Sequence, residues 1–213
     1  MKPSSRTGRA EHFRALSALI LPAILALLLG CEQPRLSPIP PNGTLLAFGD
    51  SLTYGVGTDP AHSYPSVLER LSGRRVINAG VSGEVTADGL PRLRGLLAQS
   101  RPDLLLLLEG GNDILRNRDP QATKRNLAAM IELAEANGIE VVLIGLPEKR
   151  LFSSTAPFYT ELAEEYDLVF EDDLVAQLMR RSRYKSDAIH FNQEGYRAMA
   201  ESIHDLLVEE GAL

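Results

Sequence analysis

Cysteine is almost absent from this chain of 213 residues: there is one, Cys31. A single thiol cannot close an internal disulfide, so no covalent staple supports the fold. Histidine is scarce too, and chemistry that needs an imidazole must draw on His12, His62, His190 or His204. Positive charge is in deficit, with a formal net charge of −6. The first 30 residues are nonetheless locally basic, carrying Lys2, Arg6, Arg9 and Arg14 against Glu11. The remainder is therefore more acidic than the total indicates. An acidic domain repels phosphate backbones, which argues against nucleic acid as a partner. No internal repeat interrupts the chain and no residue type dominates it. Its length suits one domain with a real hydrophobic core, plus extensions.

One long apolar run is present, Leu16 to Leu29. It is short for a membrane span and has the length of the apolar region of a secretory signal. It ends in Leu28-Leu29-Gly30-Cys31, which resembles the lipobox of bacterial lipoproteins. That resemblance implies removal of residues 1–30, lipidation of Cys31 and anchoring to a membrane of the bacterial envelope, and it accounts for both the position and the solitude of the cysteine. Glu32 in place of aspartate implies outer-membrane sorting, on the periplasmic side. The competing reading is an incidental cysteine in a plain signal peptide or an uncleaved anchor. Residues 31–43 contain Pro34, Pro38, Pro40 and Pro41 and are expected to form an extended tether. The folded domain is expected over 44–213.

From Thr44 onward, apolar runs alternate with helical spacing. Strands are expected at 44–48, 75–78, 103–108, 139–146 and 168–171. Helices are expected at 63–71, 86–99, 120–137, 157–166 and 192–210. The continuous run Asp103–Leu108 suits a strand buried on both faces. Alternating strands and helices imply parallel β-α-β units with right-handed crossovers. The expected fold is α/β, a three-layer α/β/α sandwich on a mainly parallel five-stranded sheet of flavodoxin-like type. Ligands in such sheets bind beyond the carboxyl ends of the strands.

The unusual residues fall at those ends. Ser51 follows the first strand in Gly49-Asp50-Ser51-Leu52. A serine there is commonly only a helix cap, yet with a base beside it the hydroxyl becomes a nucleophile. Gly83 follows the second strand in Asn78-Ala79-Gly80-Val81-Ser82-Gly83, either as a turn glycine or as an unobstructed backbone donor. Asn112 follows the third strand in Gly110-Gly111-Asn112-Asp113, either as an Asx turn or as an amide donor to an oxyanion. Asp187 and His190 are three residues apart, close enough for the carboxylate to fix the imidazole tautomer while the other ring nitrogen faces the serine. His62 is read as a surface residue with no carboxylate partner.

Taken together, Ser51, Gly83, Asn112 and Asp187-x-x-His190 resemble the four sequence blocks of the SGNH hydrolase superfamily, the GDSL esterases and lipases. The resemblance spans Thr44 to the C-terminus and is nearest to the bacterial thioesterase I, lysophospholipase and arylesterase group. It implies Ser51 as nucleophile, His190 as general base and acid, and Asp187 as its orienting carboxylate. It implies an oxyanion hole of the Ser51 and Gly83 N–H groups with the Asn112 amide, and no cofactor or metal. Substrates would be small or lipid acyl esters, including lysophospholipids and acyl thioesters. The alternatives are an O-acetyl carbohydrate esterase on the same fold, or a non-catalytic binding lipoprotein. Asp50 and Asn78 are expected to brace the site. Three positions depart from the group: Phe191 stands where many relatives have proline, and Ile114 and Asn117 where glycines are common. Leu115, Leu151 and Phe152 are candidate substrate contacts, and Leu151, Phe152, Phe158 and Tyr159 either line an acyl pocket or pack under a loop. The acidic stretch from Glu161 to Asp173 lacks calcium-ligand spacing and is read as a solvated helix face.

Overall fold

The computed structural model describes residues 35–149 and 154–213. The leader, Cys31, Leu151 and Phe152 lie outside the described residues. Five strands, β1 (Thr44–Gly49), β2 (Arg75–Gly80), β3 (Leu104–Leu108), β4 (Glu140–Ile144) and β5 (Val169–Glu171), form one sheet in the order β2-β1-β3-β4-β5. Every pairing is parallel. β3 is five leucines, all buried, as a strand covered on both faces requires. The expected strand start at Asp103 moves inward by one residue, because the Asp103 carboxylate accepts from the Thr44 N–H at 2.7 Å and trims the sheet edge. β2 runs two residues past its expected end, kept in the ladder by the pairing of Gly49 with Gly80.

The helices are α1 (Ser51–Tyr54), α2 (Tyr64–Ser72), α3 (Thr86–Ser100), α4 (Gly111–Leu115), α5 (Pro120–Glu135), α6 (Pro157–Glu165), α7 (Leu174–Met179) and α8 (Gln193–Glu209). The chain steps one way from β1 to β2 and then back across β1 to β3. With right-handed crossovers, that reversal puts α2 on one face and α3, α5 and α6 on the other. α2 packs on α8, and α3 on α5, completing the three layers. Local chemistry sets the helix ends. The Asp119 carboxylate caps α5 by accepting from Gln121 N–H at 3.0 Å, and the Asn192 side chain caps α8 by accepting from Gly195 N–H at 3.0 Å. α7 was not anticipated: its six residues are too few to display a helical period.

From Arg35 onward the proline-rich segment is docked against the domain. Leu36 and Ile39 are buried. Leu36 N–H donates to Glu210 O at 3.0 Å and Ile39 N–H to Ala212 O at 2.8 Å. Arg35 pairs with Asp167 at 2.8 Å, and Ser37 N–H donates to the Glu140 carboxylate at 2.9 Å. The folded domain therefore includes the nine residues before β1 from Arg35 on, because two apolar side chains in a polar-looking stretch find a place in the core.

The strand order reverses between β1 and β3. That switch point opens a crevice at the carboxyl edge of the sheet, and the ends of β1 and β3 deliver Ser51 and Asn112 to its two sides.

Candidate active site

Gly49 ends β1 where the backbone passes against β3; a Cβ there would overlap the Leu108 carbonyl. The chain then turns into α1, capped by Asp50, whose Oδ1 accepts from Leu52 N–H at 3.0 Å. Ser51 is the first residue of this helix, where backbone N–H groups have no intrahelical acceptor. Asp50 Oδ2 accepts from Asn112 Nδ2 at 3.2 Å. Burial pushes the Asp50 carboxyl up to about 6, countered in part by the Leu52 N–H and the nearby His190.

His190 comes from the loop before α8. Its Nε2 lies 3.0 Å from Ser51 Oγ and its Nδ1 lies 2.8 Å from Asp187 Oδ2. The other Asp187 oxygen accepts from the N–H groups of Ile189 and His190, both at 2.9 Å. The four-residue turn thus closes on its own carboxylate. Those bonds, the Ile189 N–H first and the His190 ring next, hold the Asp187 carboxyl down near about 2. Asp187 is therefore an anion throughout the neutral range, as support for an imidazolium requires. Phe191 fixes the turn by packing: it is fully buried and meets Tyr196 edge-on at 5.6 Å. The Tyr196 hydroxyl donates to Val56 O at 2.8 Å, which ties this loop to the segment after α1.

Gly83 sits in the left-handed region at φ +81°, and its carbonyl accepts from Arg116 Nη2 at 2.9 Å. A second tie joins the same segments. Asp113, beside Asn112, accepts from Thr86 N–H and Thr86 Oγ, both at 2.9 Å. Glu84 is buried and paired with Arg92, whose guanidinium also stacks 4.1 Å above the Phe48 ring and donates to Ala79 O at 2.9 Å. Sequence reasoning passed over Thr86, Glu84 and Arg92. Only Asp113 carried a signal, its place next to Asn112. Asn78 braces the neighbouring turn, its Oδ1 accepting from Gly80 N–H at 3.0 Å.

A cavity of about 340 Å³ opens beside Ser51 and Asn112. Its wall is mainly apolar, with Leu52, Ile114, Leu115, Leu146, Met179 and Ile189. Leu115 lines the cleft, and α7 contributes Met179. Gly83 is not part of that wall; it joins the site through Arg116. Tyr159 resolves toward packing: it is buried and its hydroxyl donates to Glu109 O at 2.7 Å, while Phe158, also buried, lines a hollow of about 570 Å³ that shares Ile114, Glu148 and Lys149 with the cleft. Asn117 is in the left-handed region at φ +50°, a conformation asparagine tolerates better than most residues. His62 has a carboxylate after all: Asp59 Oδ2 is 3.8 Å from its Nδ1, but the pair lies before α2 and does not reach Ser51. A larger hollow of about 720 Å³ lies at the opposite sheet edge, between the docked segment and the ends of α3 and α5. It is remote from the relay and holds none of its groups. Among the described residues no cluster of His, Cys, Asp and Glu is arranged to hold a metal.

A serine, an imidazole and a carboxylate in hydrogen-bonded series, with an amide held beside the serine, make an acyl-transfer site. The model of the GDSL-like lipase/acylhydrolase family matches residues 47–198. The chain belongs to that family. It is 38% identical over 136 residues to the esterase TesA of Pseudomonas aeruginosa, a match covering 62% of this chain and 65% of that protein. It is 31% identical over 166 residues to thioesterase 1/protease 1/lysophospholipase L1 of Escherichia coli, covering 74% of this chain and 80% of that one. Among solved structures it resembles AlinE4, an SGNH-hydrolase family esterase, at 31% identity and a TM-score of 0.62, over 79% of this chain and 96% of the other. In a family member with this relay, Ser51, His190 and Asp187 have the geometry of a serine hydrolase.

Proposed function

We propose that this protein is a serine esterase that hydrolyses carboxylic esters and thioesters through an acyl-enzyme on Ser51. The observation that carries the reading is the unbroken relay from Ser51 Oγ through His190 to Asp187, at 3.0 and 2.8 Å. Ser51 Oγ attacks the acyl carbonyl as His190 Nε2 takes its proton. The oxyanion is met by the Ser51 N–H and by the second Nδ2 hydrogen of Asn112, the first being committed to Asp50, and by resemblance to the SGNH blocks the Gly83 N–H is the third donor. Collapse expels the alcohol or thiol, which takes the proton from His190, and water repeats the sequence on the acyl-enzyme.

The cleft supports short to medium acyl chains. Its volume lies at the low end of the roughly 300–1,000 Å³ typical of small-molecule pockets, and its lining favours an alkyl group over a sugar. This weighs against the O-acetyl carbohydrate reading. The likeness to proteins named esterase, thioesterase and lysophospholipase supports the same substrate range. We further propose that the protein is exported and anchored through lipid on Cys31 to the bacterial envelope, at the periplasmic face of the outer membrane; the leader and the solitary cysteine support this reading.

A panel of p-nitrophenyl esters of rising chain length and acyl thioesters, on wild type and Ser51→Ala, tests the activity. Turnover should fall beyond medium chains and vanish in the variant. Wild-type turnover by Ser51→Ala would overturn the mechanism. Palmitate labelling that is lost in Cys31→Ser tests the anchor.

A further inference from the structure

The docked segment decides which way an anchored domain must face. Its partners Glu140, Asp167, Glu210 and Ala212 all belong to the amino edge of the sheet or to elements that end there: Glu140 opens β4, Asp167 precedes β5, and Glu210 and Ala212 follow α8. Ser51 and His190 lie at the other edge. β1 spans its six residues at ~3.3 Å each, so roughly 17 Å separates its ends. α8, with 17 residues, begins beside His190 and ends at the docked segment, a span of roughly 25 Å at ~1.5 Å per residue. Two elements thus place the attachment point and the nucleophile at opposite poles.

The covalent reach between anchor and domain is short. Three residues stand between Cys31 and Arg35, four Cα-to-Cα steps that extend to at most about 14 Å. A domain of about 180 residues has a radius of gyration near ~16 Å, and as a sphere a radius of roughly 20 Å. Turning the site onto the bilayer would lift the docked segment by a full diameter, roughly 40 Å, and laying the domain on its side would lift it by roughly 20 Å. Neither fits within the tether.

We infer that the lipid-anchored protein holds its active site turned away from the bilayer that carries it, because Arg35–Ile39 is fastened at the pole opposite Ser51. Its substrates are acyl esters arriving from the aqueous side, and lysophospholipids embedded in its own membrane are out of reach. The inference rests on the esterase reading and on lipidation of Cys31.

The test uses the full lipidated protein in phosphatidylcholine vesicles, alongside a variant with 40 Gly/Ser residues inserted between Gln33 and Pro34. Such an insert has a root-mean-square span of roughly 35 Å and a far longer contour, enough to let the domain turn over. A fluorescent fluorophosphonate on Ser51 reports energy transfer to acceptors on the lipid headgroups. The native tether should place the fluorophore roughly 30 Å or more above the surface, and the insertion should raise transfer. In parallel, release of palmitate from vesicle-resident palmitoyl-lysophosphatidylcholine should rise at least tenfold on insertion, with hydrolysis of dissolved p-nitrophenyl butyrate unchanged within twofold. High transfer with the native tether, or equal palmitate release from both proteins, overturns the orientation. Failure of both proteins to label or to cleave the butyrate overturns the esterase reading and the inference with it. Flotation of Cys31→Ser with the vesicles overturns the anchor on which it rests.

Discussion

Asp50 Oδ2 accepts a hydrogen bond from Asn112 Nδ2 at 3.2 Å, linking the residue before the nucleophile to the second residue of α4 across the switch point. The bond leaves one Asn112 hydrogen for the cleft. Asp50 is therefore a positioning residue whose carboxylate sets the direction of an oxyanion donor. Losing such a donor costs ~10²–10³ in turnover, so misdirecting it in Asp50→Asn should cost about tenfold to a hundredfold in kcat at pH 8. Asp50 titrates near about 6, and below that value its oxygen becomes a poorer acceptor. Protonation of the His190 base gives both proteins an acid limb, and wild-type kcat should carry a further acid-side loss near pH 6 that is absent from the profile of Asp50→Asn. An identical acid limb in both proteins would falsify the positioning role.

Asn112→Ala should lose ~10²–10³ in kcat with an unchanged midpoint of unfolding within about 0.5 kcal/mol. The residue is only partly buried at the cleft and contributes little to the core. Stopped-flow acylation with a p-nitrophenyl ester, set beside urea unfolding, separates the two effects. A stability loss matching the activity loss would point to a structural role instead.

Glu109 is fully buried, and neither carboxylate oxygen has a hydrogen-bond partner. Burial raises it to about 10, so it is neutral at pH 7 in the folded protein. The unfolded carboxyl releases its proton near 4.5. Between those values the unfolded state binds fewer protons than the folded one, so stability declines as pH rises through the window. Glu109→Gln removes that slope. The variant should match wild type near pH 5 and exceed it by a margin that grows by up to about 1.4 kcal/mol per pH unit, reaching several kcal/mol by about pH 9. Thermal melts across the range would show the gap widening, and a constant gap would contradict a neutral Glu109.

Ile39→Ala should destabilise the domain by about 2–4 kcal/mol through loss of a buried side chain and the cavity it leaves. Ile39 lies at the pole away from Ser51, so kcat/KM for a soluble ester, measured well below the melting temperature, should stay within about twofold. A large activity loss in the folded variant would mean the docked segment acts on the site.

Much of this architecture was legible in the chain. The leucines of β3 and the capped amphipathic helices have periods long enough to read, whereas the strand order whose reversal places the crevice emerged only in the fold. The miss at α7 has a physical reason in its length. The docked segment escaped notice because Leu36 and Ile39 stand among prolines with no period. His62 shows the limit of spacing: Asp59-x-x-His62 repeats the spacing of Asp187-x-x-His190, yet only the second pair reaches a serine.

The sequence by itself determined the fold class, the blocks that bear Ser51, Gly83, Asn112, Asp187 and His190, and the solitude of Cys31. These are matters of local propensity, period and covalent order. Only the tertiary structure decided which histidine meets Ser51, that Asp50 aims Asn112, that Glu109 is sealed without a partner, and that Arg35–Ile39 is fastened opposite the site. Each of those depends on groups far apart in the chain, whose distance and burial are set when the layers close around the sheet.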